Sequence, residues 1–518
     1  MCEAHEVAFV ECNEHREAAS FEVALMDMNE DSNHSFYTPR VDPGGVLISR
    51  YTYIDICTGG ISMRAMGIDI GTTTISIVML DGDSGTLLDS RTLSHNSFAK
   101  GPTAASRVQN PAKILELSMQ LAKDMIKKQG RPDSIGMTGQ MHGMLYVDHR
   151  GEAVSPLYTW QDGNGNELTK DGRTYAEILG EATGTAASGY GLTTHYYLQK
   201  KGLIPNTAEK MVTISDYVAM RLCESNDAVI ARDMAASWGG YDLEIGDFCR
   251  EELEALGVEL SCLPRILPGH GIIGTTAGSF PGGIPVCVSL GDNQASVLGT
   301  VQDLSNTVLV NIGTGSQVSF GAASFVEATG SIELRPYCDG LYLMAGSGLC
   351  GGRAYAMLEQ FYREASGKED PLYDFMERQA REFMEAYGKE AAWKIRTTFS
   401  GTRSNPKERG CISGIGVENF HPGAMTLGML GGIVEELYDM YREMCSMTGS
   451  KAVQLVGSGN GLRRNVLLRE LVEERFRMPV KIPRYEEEAA CGAAMQSLAS
   501  AGFAGSVGEL QKKICYLN

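Results

Sequence analysis

Several features are missing from this 518-residue sequence, and each absence excludes a class of protein. There is no uninterrupted apolar run of about 18 residues, the length that a membrane-spanning helix needs. The Walker pattern G-x-x-x-x-G-K-[ST] is absent, so this is not a P-loop protein. A serine hydrolase is excluded in the same way, because no G-x-S-x-G motif occurs. The 13 cysteines form no C-x-x-C pair, which favours reduced thiols over disulfides or a zinc site.

Positive charge is also scarce, with 45 Lys and Arg against 64 Asp and Glu and a net charge of −19. Nucleic acids and anionic membranes bind to basic surfaces, so we expect neither as a partner. An acidic protein can still bind phosphate through backbone N–H groups and a metal ion. We therefore expect small-molecule partners, a cytoplasmic location, and either a monomer or a homodimer.

The length predicts two domains, because a single core rarely serves so long a chain. Residues 1–65 show no long helical or strand periodicity and are predicted to be an N-terminal extension. Their excess of acidic residues is the wrong charge for a signal or transit peptide. We predict a first domain at residues 66–303 and a second at residues 304–518, both of the α/β class.

Apolar periodicity supports the α/β assignment. "MGIDIG" and "TISIVMLD" read as adjacent strands, and "PVCVSL" (285–290) reads as a short buried strand. Residues 112–130 have helical spacing, a basic last turn and a C-terminal glycine. The late segment "EEEAACGAAMQSLASAG" also reads as a helix.

An Ile-Gly-Thr turn occurs twice, in "MGIDIGTTTISIVML" and in "TVLVNIGTGSQVSF". Each copy lies near the start of its own predicted domain. Glycine lets a backbone approach a ligand closely, and successive N–H groups of such a turn can surround an anion. Asp69 precedes the first turn, where the second has Asn311. A carboxylate beside a phosphate requires a cation, which suggests Mg²⁺. Two ordinary hairpins with a coincidental tripeptide remain the alternative.

A third glycine-rich loop, "LVGSGNGLRRN" (455–465), follows a strand and leads into a helix. The free N–H groups at such a helix start suit a phosphate or a base. A simple strand-to-helix turn is the alternative for this loop alone.

Taken in this order, the three loops resemble the phosphate-1, phosphate-2 and adenosine motifs of the actin/Hsp70/sugar-kinase superfamily. Within it the chain resembles the FGGY carbohydrate kinases, from about Met66 to Gly502. The resemblance implies two ribonuclease-H-like domains with Mg-ATP between them and a sugar deep in the first. The segments "GMTGQMHGMLYVD", "YTWQDG", "SGYGLTTHYYL", "MAASWGGYD" and "SLGDNQASVLG" are most similar to kinases of sedoheptulose, and next to kinases of xylulose.

The resemblance also implies roles for single residues. The nucleotide-binding residues would be Gly71, Thr72, Thr73, Thr74, Gly313, Thr314, Gly315, Gly457, Ser458, Gly459, Asn460 and Asn465. Asp69 would hold Mg²⁺ through water. The sugar-binding residues would be Gln140, Met141, His142, Trp160, Asp162 and Asn293. Where the family usually has an arginine after Trp-Gln-Asp-Gly, this chain has Asn164. An amide there is expected to relax selection at one end of the sugar, and an arginine to sharpen it.

Asp292 is the candidate general base. It stands where a buried strand ends, at the edge where ligands of open α/β sheets collect. Phosphoryl transfer needs one group that accepts the proton of the attacking hydroxyl. The alternative is that Asp292 only caps a helix that begins at Asn293. Likewise, His142 could be a structural histidine and Trp160 a core residue.

Two other functional classes, a dinucleotide oxidoreductase and a non-catalytic ATP-binding protein, also fit part of the sequence. "GSGLCG" (346–351) fits the G-x-G-x-x-G pattern of a dinucleotide oxidoreductase, with Asp370 at a suitable distance. That interpretation leaves the repeated Ile-Gly-Thr turn unexplained. A non-catalytic ATP-binding protein of the actin/Hsp70 type would share the nucleotide loops. It would have no use for Gln-Met-His, Trp-Gln-Asp and Gly-Asp-Asn together.

Overall fold

The computed structural model describes residues 63–267, 269–402, 405 and 407–517. The predicted extension therefore lies outside the described residues except for its last three positions. The first strand begins at Arg64, two residues before the predicted domain start at Met66. Met63 also belongs to the fold, because its carbonyl oxygen accepts a hydrogen bond from the Gly82 N–H at 2.6 Å.

Strands and helices alternate along the described chain. The strands are β1 (Arg64–Ile70), β2 (Thr74–Asp81), β3 (Leu87–Ser94), β4 (Phe98–Ala99), β5 (Val108–Gln109), β6 (Ser134–Gly139), β7 (Leu145–Val147), β8 (Leu157–Tyr158), β9 (Lys210–Val212), β10 (Val229–Ala231), β11 (Tyr241–Asp242), β12 (Asp247–Phe248), β13 (Arg265–Leu267), β14 (Ile272–Thr275), β15 (Pro285–Cys287), β16 (Leu290–Gly291), β17 (Thr307–Ile312), β18 (Ser316–Ala322), β19 (Ile332–Pro336), β20 (Tyr342–Gly348), β21 (Lys394–Arg396), β22 (Cys411–Ser413), β23 (Gln454–Ser458) and β24 (Val480–Lys481). The helices are α1 (Pro111–Gln129), α2 (Tyr175–Thr183), α3 (Gly191–Lys201), α4 (Ile214–Leu222), α5 (Arg232–Ala236), α6 (Arg250–Ala255), α7 (Asp292–Thr300), α8 (Gly351–Ser366), α9 (Tyr373–Tyr387), α10 (Pro422–Thr448), α11 (Gly459–Arg464), α12 (Val466–Phe476), α13 (Glu488–Ser500) and α14 (Val507–Gln511).

Two mixed sheets form the framework. The first sheet has the order β14-β15-β6-β1-β2-β3, with β16 also paired to β6, and the second has the order β19-β20-β18-β17-β23-β24. In each sheet a hairpin that contains the Ile-Gly-Thr turn pairs antiparallel, and its first strand pairs parallel to a later strand, β6 or β23. The repeat seen in the sequence is therefore a repeat of sheet topology.

Helix α1 illustrates how local sequence sets an element. The Asn110 side chain accepts a hydrogen bond from the Lys113 N–H and caps the helix, and proline occupies its first position. Gly130 ends it with a φ of 88°. The predicted helix at 112–130 is confirmed. Its buried face packs on the core of the first sheet through Ile114, Ala122 and Met125.

The predicted strand at 285–290 is interrupted. β15 ends at Cys287 and β16 begins at Leu290, because the N–H groups between them bond outside the sheet. Val288 N–H donates to the Gly271 carbonyl oxygen at 3.0 Å, and Ser289 N–H donates to Asp216 Oδ1 at 2.9 Å. A buried carboxylate thus replaces one rung of the sheet. No local sequence pattern around 285–290 indicates this.

Helix α13 lies unusually close to the first sheet and to α7. A Cβ atom at Gly67 or Gly136 would lie 1.8 Å from a carbonyl oxygen of α13, that of Ala490 or Ala493. A Cβ at Gly492 of α13 would lie 1.9 Å from the Ala295 carbonyl oxygen of α7. Glycine is required at these positions because backbone occupies the space of any side chain. The late part of the chain is thereby packed onto the sheet formed by the early part.

A pair of glycine-to-alanine substitutions tests this contact. Gly492→Ala should lower the free energy of unfolding by about 1–3 kcal/mol or more, because the added methyl meets backbone that cannot rotate away. Gly431→Ala in α10 is the matched control, since no described atom outside its own stretch of helix lies within 4 Å of its Cβ position. That variant should be neutral or gain up to about 1 kcal/mol from helix propensity. Urea unfolding of both variants measures the difference, and equal stabilities would contradict the close packing.

Candidate active site

Three strand ends lie side by side at one edge of the first sheet. Ile70 of β1, Gly139 of β6 and Gly291 of β16 are in register, and Gln140 N–H donates to the Ile70 carbonyl oxygen at 2.9 Å. The residues that follow them are Gly71, Gln140 and Asp292. Parallel strands place the residues after their carboxyl ends at one edge, where ligands of α/β sheets bind. The first turn, the Gln-Met-His segment and Asp292 are brought together in this way.

The first Ile-Gly-Thr turn has its carbonyl groups held by the protein. The carbonyl oxygen of Gly71 accepts from His95 Nε2 at 3.1 Å, that of Thr72 from Gln109 Nε2 at 2.6 Å, and that of Thr73 from His95 N–H at 3.0 Å. The N–H groups of Thr72 and Thr73 make no hydrogen bond within the described part of the chain. The turn therefore presents N–H donors on the side opposite its bound carbonyls, as an anion site requires.

The second turn has the same arrangement. The carbonyl oxygens of Gly313, Thr314 and Gly315 accept from the N–H groups of Gly352, Arg353 and Gly313 at 3.0, 2.8 and 2.9 Å. Two of these donors lie in the first turn of α8. A Cβ at Gly352 would lie 2.2 Å from the Gly313 carbonyl oxygen, so a glycine is needed there. Both copies of the repeat are thus built with their carbonyls bound to the protein.

The third loop lies against the end of β17. Asn311 Nδ2 donates to Ser458 Oγ at 2.7 Å, and Cβ atoms at Gly459 and Gly461 would lie 2.6 and 2.7 Å from the Ile312 carbonyl oxygen. Asn460 lies between these glycines, in α11. The segments 311–315 and 457–461 therefore form one surface.

Asn465 has a structural bond as well as its predicted role. Its Oδ1 accepts from the Leu468 N–H at 2.8 Å and caps α12. Burial raises the pKa of Tyr355 on α8, and the Asn465 side chain opposes this rise. Asn465 therefore lies close to α8 as well as at the start of α12.

The N-terminus of α13 lies between these features. Glu487 Oε1 accepts from Thr92 Oγ1 at 2.6 Å in the first sheet. Glu488 accepts from Ser296 of α7 at 3.2 Å and from Arg463 of α11 at 3.3 Å. Burial raises the pKa of Glu488 to about 7. Two adjacent glutamates thus connect the Asp69 edge with the 457–461 loop.

Asp69 carries an unsatisfied buried atom. Its Oδ1 is buried and has no hydrogen-bond partner among the residues that the structure describes. Burial, together with the negative charges of Asp292 and Glu487, raises the pKa of Asp69 to about 7. A cation at this point would stabilise the charged form, because it would offset the desolvation and the repulsion. Among the described residues, no cluster of three or more His, Cys, Asp or Glu could hold a metal by itself.

Asp292 begins α7. The N-cap residue is Gly291, so the alternative in which Asp292 caps a helix starting at Asn293 is not what the structure shows. Asp292 Oδ1 accepts from the Asn293 N–H at 2.7 Å. Burial raises the pKa of Asp292, while the Arg335 guanidinium and this N–H oppose the rise.

Two buried aspartates hold the strand that leads to Asp292. Asp216 Oδ1 accepts from Ser289 N–H and Oγ at 2.9 and 2.6 Å, and Asp233 Oδ2 accepts from Gly291 N–H at 2.8 Å. Asp233 Oδ1 also lies 3.1 Å from His270 Nε2. The charge of Asp233 raises the pKa of His270 against the effect of burial. The backbone on the N-terminal side of Asp292 is therefore held by two buried carboxylates.

Gln140 and Met141 are buried at this edge. Gln140 Nε2 donates to Gln109 Oε1 at 3.0 Å, whereas Gln140 Oε1 is a buried acceptor with no partner in the described part of the chain. Met141 is 4% exposed, and its Sδ lies 2.7 Å from where a Cβ of Gly291 would be. The unpaired Gln140 acceptor suits a hydroxyl donor from a ligand, because leaving it unpaired costs free energy.

His142 has a constrained position. Its φ is 71°, a value that residues other than glycine seldom adopt. Its Nδ1 lies 2.6 Å from the Ser237 carbonyl oxygen, so Nδ1 carries the proton. The ring stacks on Tyr190 with centroids 4.4 Å apart. Backbone strain of this kind is found at functional sites.

Trp160 is not a core residue, since 48% of it is exposed. Its Nε1 donates to Thr72 Oγ1 at 2.9 Å, and this bond joins the Trp160 side chain to the first Ile-Gly-Thr turn. Gly189, in the "SGYG" segment, has a φ of +85°, and a Cβ there would lie 2.0 Å from the Trp160 carbonyl oxygen. Glycine is required at 189 so that the two segments can pack.

Asp162 and Asn164 are bonded to each other and to a neighbouring loop. Asp162 Oδ1 accepts from the Asn164 N–H at 3.1 Å, and Asp162 Oδ2 accepts from the Arg107 N–H and Asn164 Nδ2 at 3.1 Å each. Asn164 also bonds Ser106 Oγ at 3.0 Å and Thr103 Oγ1 at 2.5 Å. Both residues are buried. The Asn164 side chain is therefore used inside the protein, and its expected effect on sugar selection stays a prediction.

Comparison with known protein families identifies the family to which this chain belongs. The N-terminal domain of the FGGY family of carbohydrate kinases matches residues 64–299, and its C-terminal domain matches residues 309–501. The chain belongs to the FGGY family. This confirms the prediction of a carbohydrate kinase, an enzyme that uses ATP as phosphoryl donor.

Individual relatives agree with the family. Sedoheptulokinase of Mus musculus is 27% identical over 476 residues, which cover 84% of this chain and 97% of that protein. Xylulose kinase of Staphylococcus epidermidis is 22% identical over 449 residues, or 83% of this chain and 86% of that protein. A gluconate kinase structure from Lactobacillus acidophilus superposes with a TM-score of 0.76 at 19% identity, covering 88% of this chain and 93% of that one. The predicted two-domain fold of the sugar kinases is confirmed.

The fold also removes the oxidoreductase interpretation of this FGGY kinase. Residues 346–348 of "GSGLCG" lie within β20, which pairs antiparallel with β18 and β19. A dinucleotide-binding fingerprint needs a parallel βαβ unit. In this enzyme the glycines instead bring α8 against the second turn. None of the helices in the described ranges is both long and apolar enough to cross a membrane.

Several residues at the site of this FGGY kinase carried no sequence signal. His95 and Gln109 lie in segments without a motif, yet they hold the first turn. Arg335 of β19 donates from Nη1 to Asn293 Oδ1 at 3.1 Å from the second sheet. Contacts between residues so distant in sequence depend on the tertiary fold. Asp233 could have been noticed, because it stands directly before the "MAASWGGYD" segment.

A substitution at Asn164 tests whether this buried residue supports the fold or sets sugar selection. Asn164→Arg should destabilise the fold and lower activity, since the arginine would enter a fully buried space and break the bonds to Asp162 and Ser106. Asn166→Arg is the matched control, two residues away and exposed. Thermal melting and turnover should separate the two variants. A stable Asn164→Arg enzyme with sharper sugar selection would support the original expectation.

Proposed function

We propose that this FGGY kinase phosphorylates a ketose, with sedoheptulose as the preferred substrate and sedoheptulose 7-phosphate as the product. Asp292 is the proposed general base. The observation that carries this assignment is the register of the three strand ends, which sets Asp292 beside the first turn and beside Gln140.

The proposed reaction is a direct transfer. The terminal sugar hydroxyl attacks the γ-phosphorus, and its proton passes to the Asp292 carboxylate. The new O–P bond forms as the bond from the γ-phosphorus to the bridging oxygen of ADP breaks. Catalysis of this kind depends on positioning and charge stabilisation. The raised pKa of Asp292 supports the role, because a base is more effective when its pKa approaches the working pH.

The proposed nucleotide site uses the three loops. The backbone N–H groups of Thr72 to Thr74 and of Thr314 and Gly315 would bind phosphate oxygens, and the Gly457 to Asn460 segment with Asn465 would hold adenosine. Gly71 and Gly313 would instead shape the two turns, because their N–H groups donate to the carbonyl oxygens of Thr74 and Gly315 at 2.9 Å each. The bound carbonyls of both turns support this, since they leave the N–H sides for an anion.

The proposed metal site fits Mg²⁺. Asp69 would hold the ion through water, and its buried unpaired Oδ1 and raised pKa support a cation there. Mg²⁺ commonly keeps several waters and binds one or two protein carboxylates plus substrate phosphates. When bound it would neutralise phosphate charge.

The proposed sugar site has a polar and a flat wall. Gln140 and His142 would bind hydroxyls, Trp160 would face the carbon skeleton, and Asn293 would bind near the reacting end. Asp162, whose carboxylate is used within the protein, is now proposed to position this wall. The preference for sedoheptulose rests on the resemblance of the "TWQDG", "SGYG" and "AASWG" segments and on the mouse relative's name.

We also propose the domain division at residues 303 and 304.

Removal of the proposed base is the first test. Asp292→Asn keeps the shape and removes the charge, so turnover should fall by roughly 10²–10⁴ while the Kd values of ATP and sugar stay within a few-fold. Asp227→Asn is the control, because Asp227 lies in an exposed ion pair with Arg265. Turnover is followed by coupled ADP release and binding by calorimetry. Full activity of Asp292→Asn would exclude the base assignment.

The sugar preference is the second test. Coupled ADP release is measured with sedoheptulose, xylulose, ribulose, fructose, gluconate and glycerol, and sedoheptulose should have the highest kcat/KM. A site that hydrogen-bonds particular hydroxyls can reject analogues by up to about 10⁴–10⁵, so one clear preference is expected. If xylulose were used tenfold better, the xylulose kinase alternative would replace the sedoheptulose assignment.

A further inference from the structure

Arg335 is a largely buried cation that reaches from the second sheet to the start of α7. Its side chain is 11% exposed, and its Nη1 donates to Asn293 Oδ1 at 3.1 Å. Asn293 directly follows Asp292 and begins the helix with it. One hydrogen bond therefore joins a strand of the second sheet to the residue beside the proposed base.

A second acid fixes the direction of the guanidinium. Glu333 lies two residues earlier on the same face of β19, and its Oε2 accepts from Arg335 Nε at 3.2 Å and from Nη2 at 2.5 Å. An arginine fork held at two nitrogens loses its rotational freedom before it meets a partner. Nη1 is the nitrogen that remains directed at Asn293.

A neighbouring bond repeats the connection. Gln294 of α7 is 1% exposed, and its Nε2 donates to the Pro336 carbonyl oxygen at 3.3 Å. Adjacent residues of α7 thus bond adjacent residues of β19. On the other side of Asp292, Asp233 holds the Gly291 N–H at 2.8 Å. Asp292 lies between two anchored neighbours.

We propose that Arg335 is a positioning residue: through Asn293 it fixes the first turn of α7 against the second sheet and so aims the Asp292 carboxylate. The inference rests on the proposed role of Asp292. It adds that the geometry of the base depends on a residue of the sheet that carries the second phosphate turn. The Arg335 charge also opposes the rise in the pKa of Asp292 and so favours the charged carboxylate that accepts the proton.

The alternative is that Arg335 and Glu333 only stabilise the contact between the sheets. A purely structural pair would change the free energy of unfolding but would leave kcat and KM of the folded enzyme alone. A positioning residue would lower kcat more than it raises KM. A misplacement of about 1 Å can cost on the order of 10²-fold in rate.

The experiment is a double-mutant cycle on the full chain. Arg335→Met, Asn293→Ala and the double variant are compared in coupled ADP release with the sugar that gives the highest kcat/KM. Their melting temperatures and sugar Kd values are also measured. Arg265→Met is the control, because Arg265 forms an exposed ion pair. Arg335→Lys keeps the charge without the fork.

We expect Arg335→Met to lower kcat roughly 10- to 100-fold with a smaller change in KM. In the Asn293→Ala background the same substitution should have less than about a twofold effect, because contacting residues are not additive. Arg335→Lys should remain at least about threefold below wild type. Arg265→Met should match wild type.

Three results would overturn the inference. Unchanged kcat in Arg335→Met would show a structural pair, and an equal loss in both backgrounds would show that Arg335 does not act through Asn293. Full activity of Arg335→Lys would show that charge alone matters.

If Arg335→Met does not fold, the cycle is run with Arg335→Lys. Asp292→Asn is assayed in parallel: if it is active the base assignment fails, and if only it is inactive the Arg335 inference fails.

Discussion

The close packing of α13 on the first sheet is the constraint on which the rest of the site depends. Four glycines, at 67, 136, 299 and 492, are positions where a side chain would overlap with backbone carbonyl groups. Their small size brings the N-terminus of α13 to the edge where β1, β6 and β16 end. Glu487 and Glu488 then lie between Asp69 and the 457–461 loop.

Burying charged carboxylates at the candidate site makes folding less favourable. The pKa of Asp69 is raised from its ordinary 3.8 to about 7, so this group makes folding less favourable as the pH rises through that interval. The pKa of Asp292 is raised in the same direction. Burial also raises the pKa of Asp216, to about 6, although hydrogen bonds from Ser289 and Thr213 offset part of this rise. The uncompensated Asp69 is the group that a bound cation would stabilise.

Local sequence was sufficient for the fold class and for several elements. The C-terminal glycine of α1, the apolar runs of β1 and β2, and the duplicated Ile-Gly-Thr turn are short-range features, and each is found where it was predicted. The family motifs also located the strand end at Asp292. The interrupted strand at 288–289 could not be predicted, because its cause is a carboxylate more than 70 residues earlier in the chain. The buried position of Asn164 was missed for the same reason, since its partners include Thr103 and Ser106.

The sequence by itself determined the family and indicated candidate residues for binding phosphate, facing a sugar and accepting a proton, because those properties belong to glycine turns and to side-chain chemistry. Only the tertiary structure decided how these residues are held. His95 and Gln109 bind the carbonyls of the first turn, Asp233 and Arg335 hold the neighbours of Asp292, and Asn164 is used inside the protein. The physical reason is that hydrogen-bond direction and burial arise from segments brought together by the sheets, which no local pattern records.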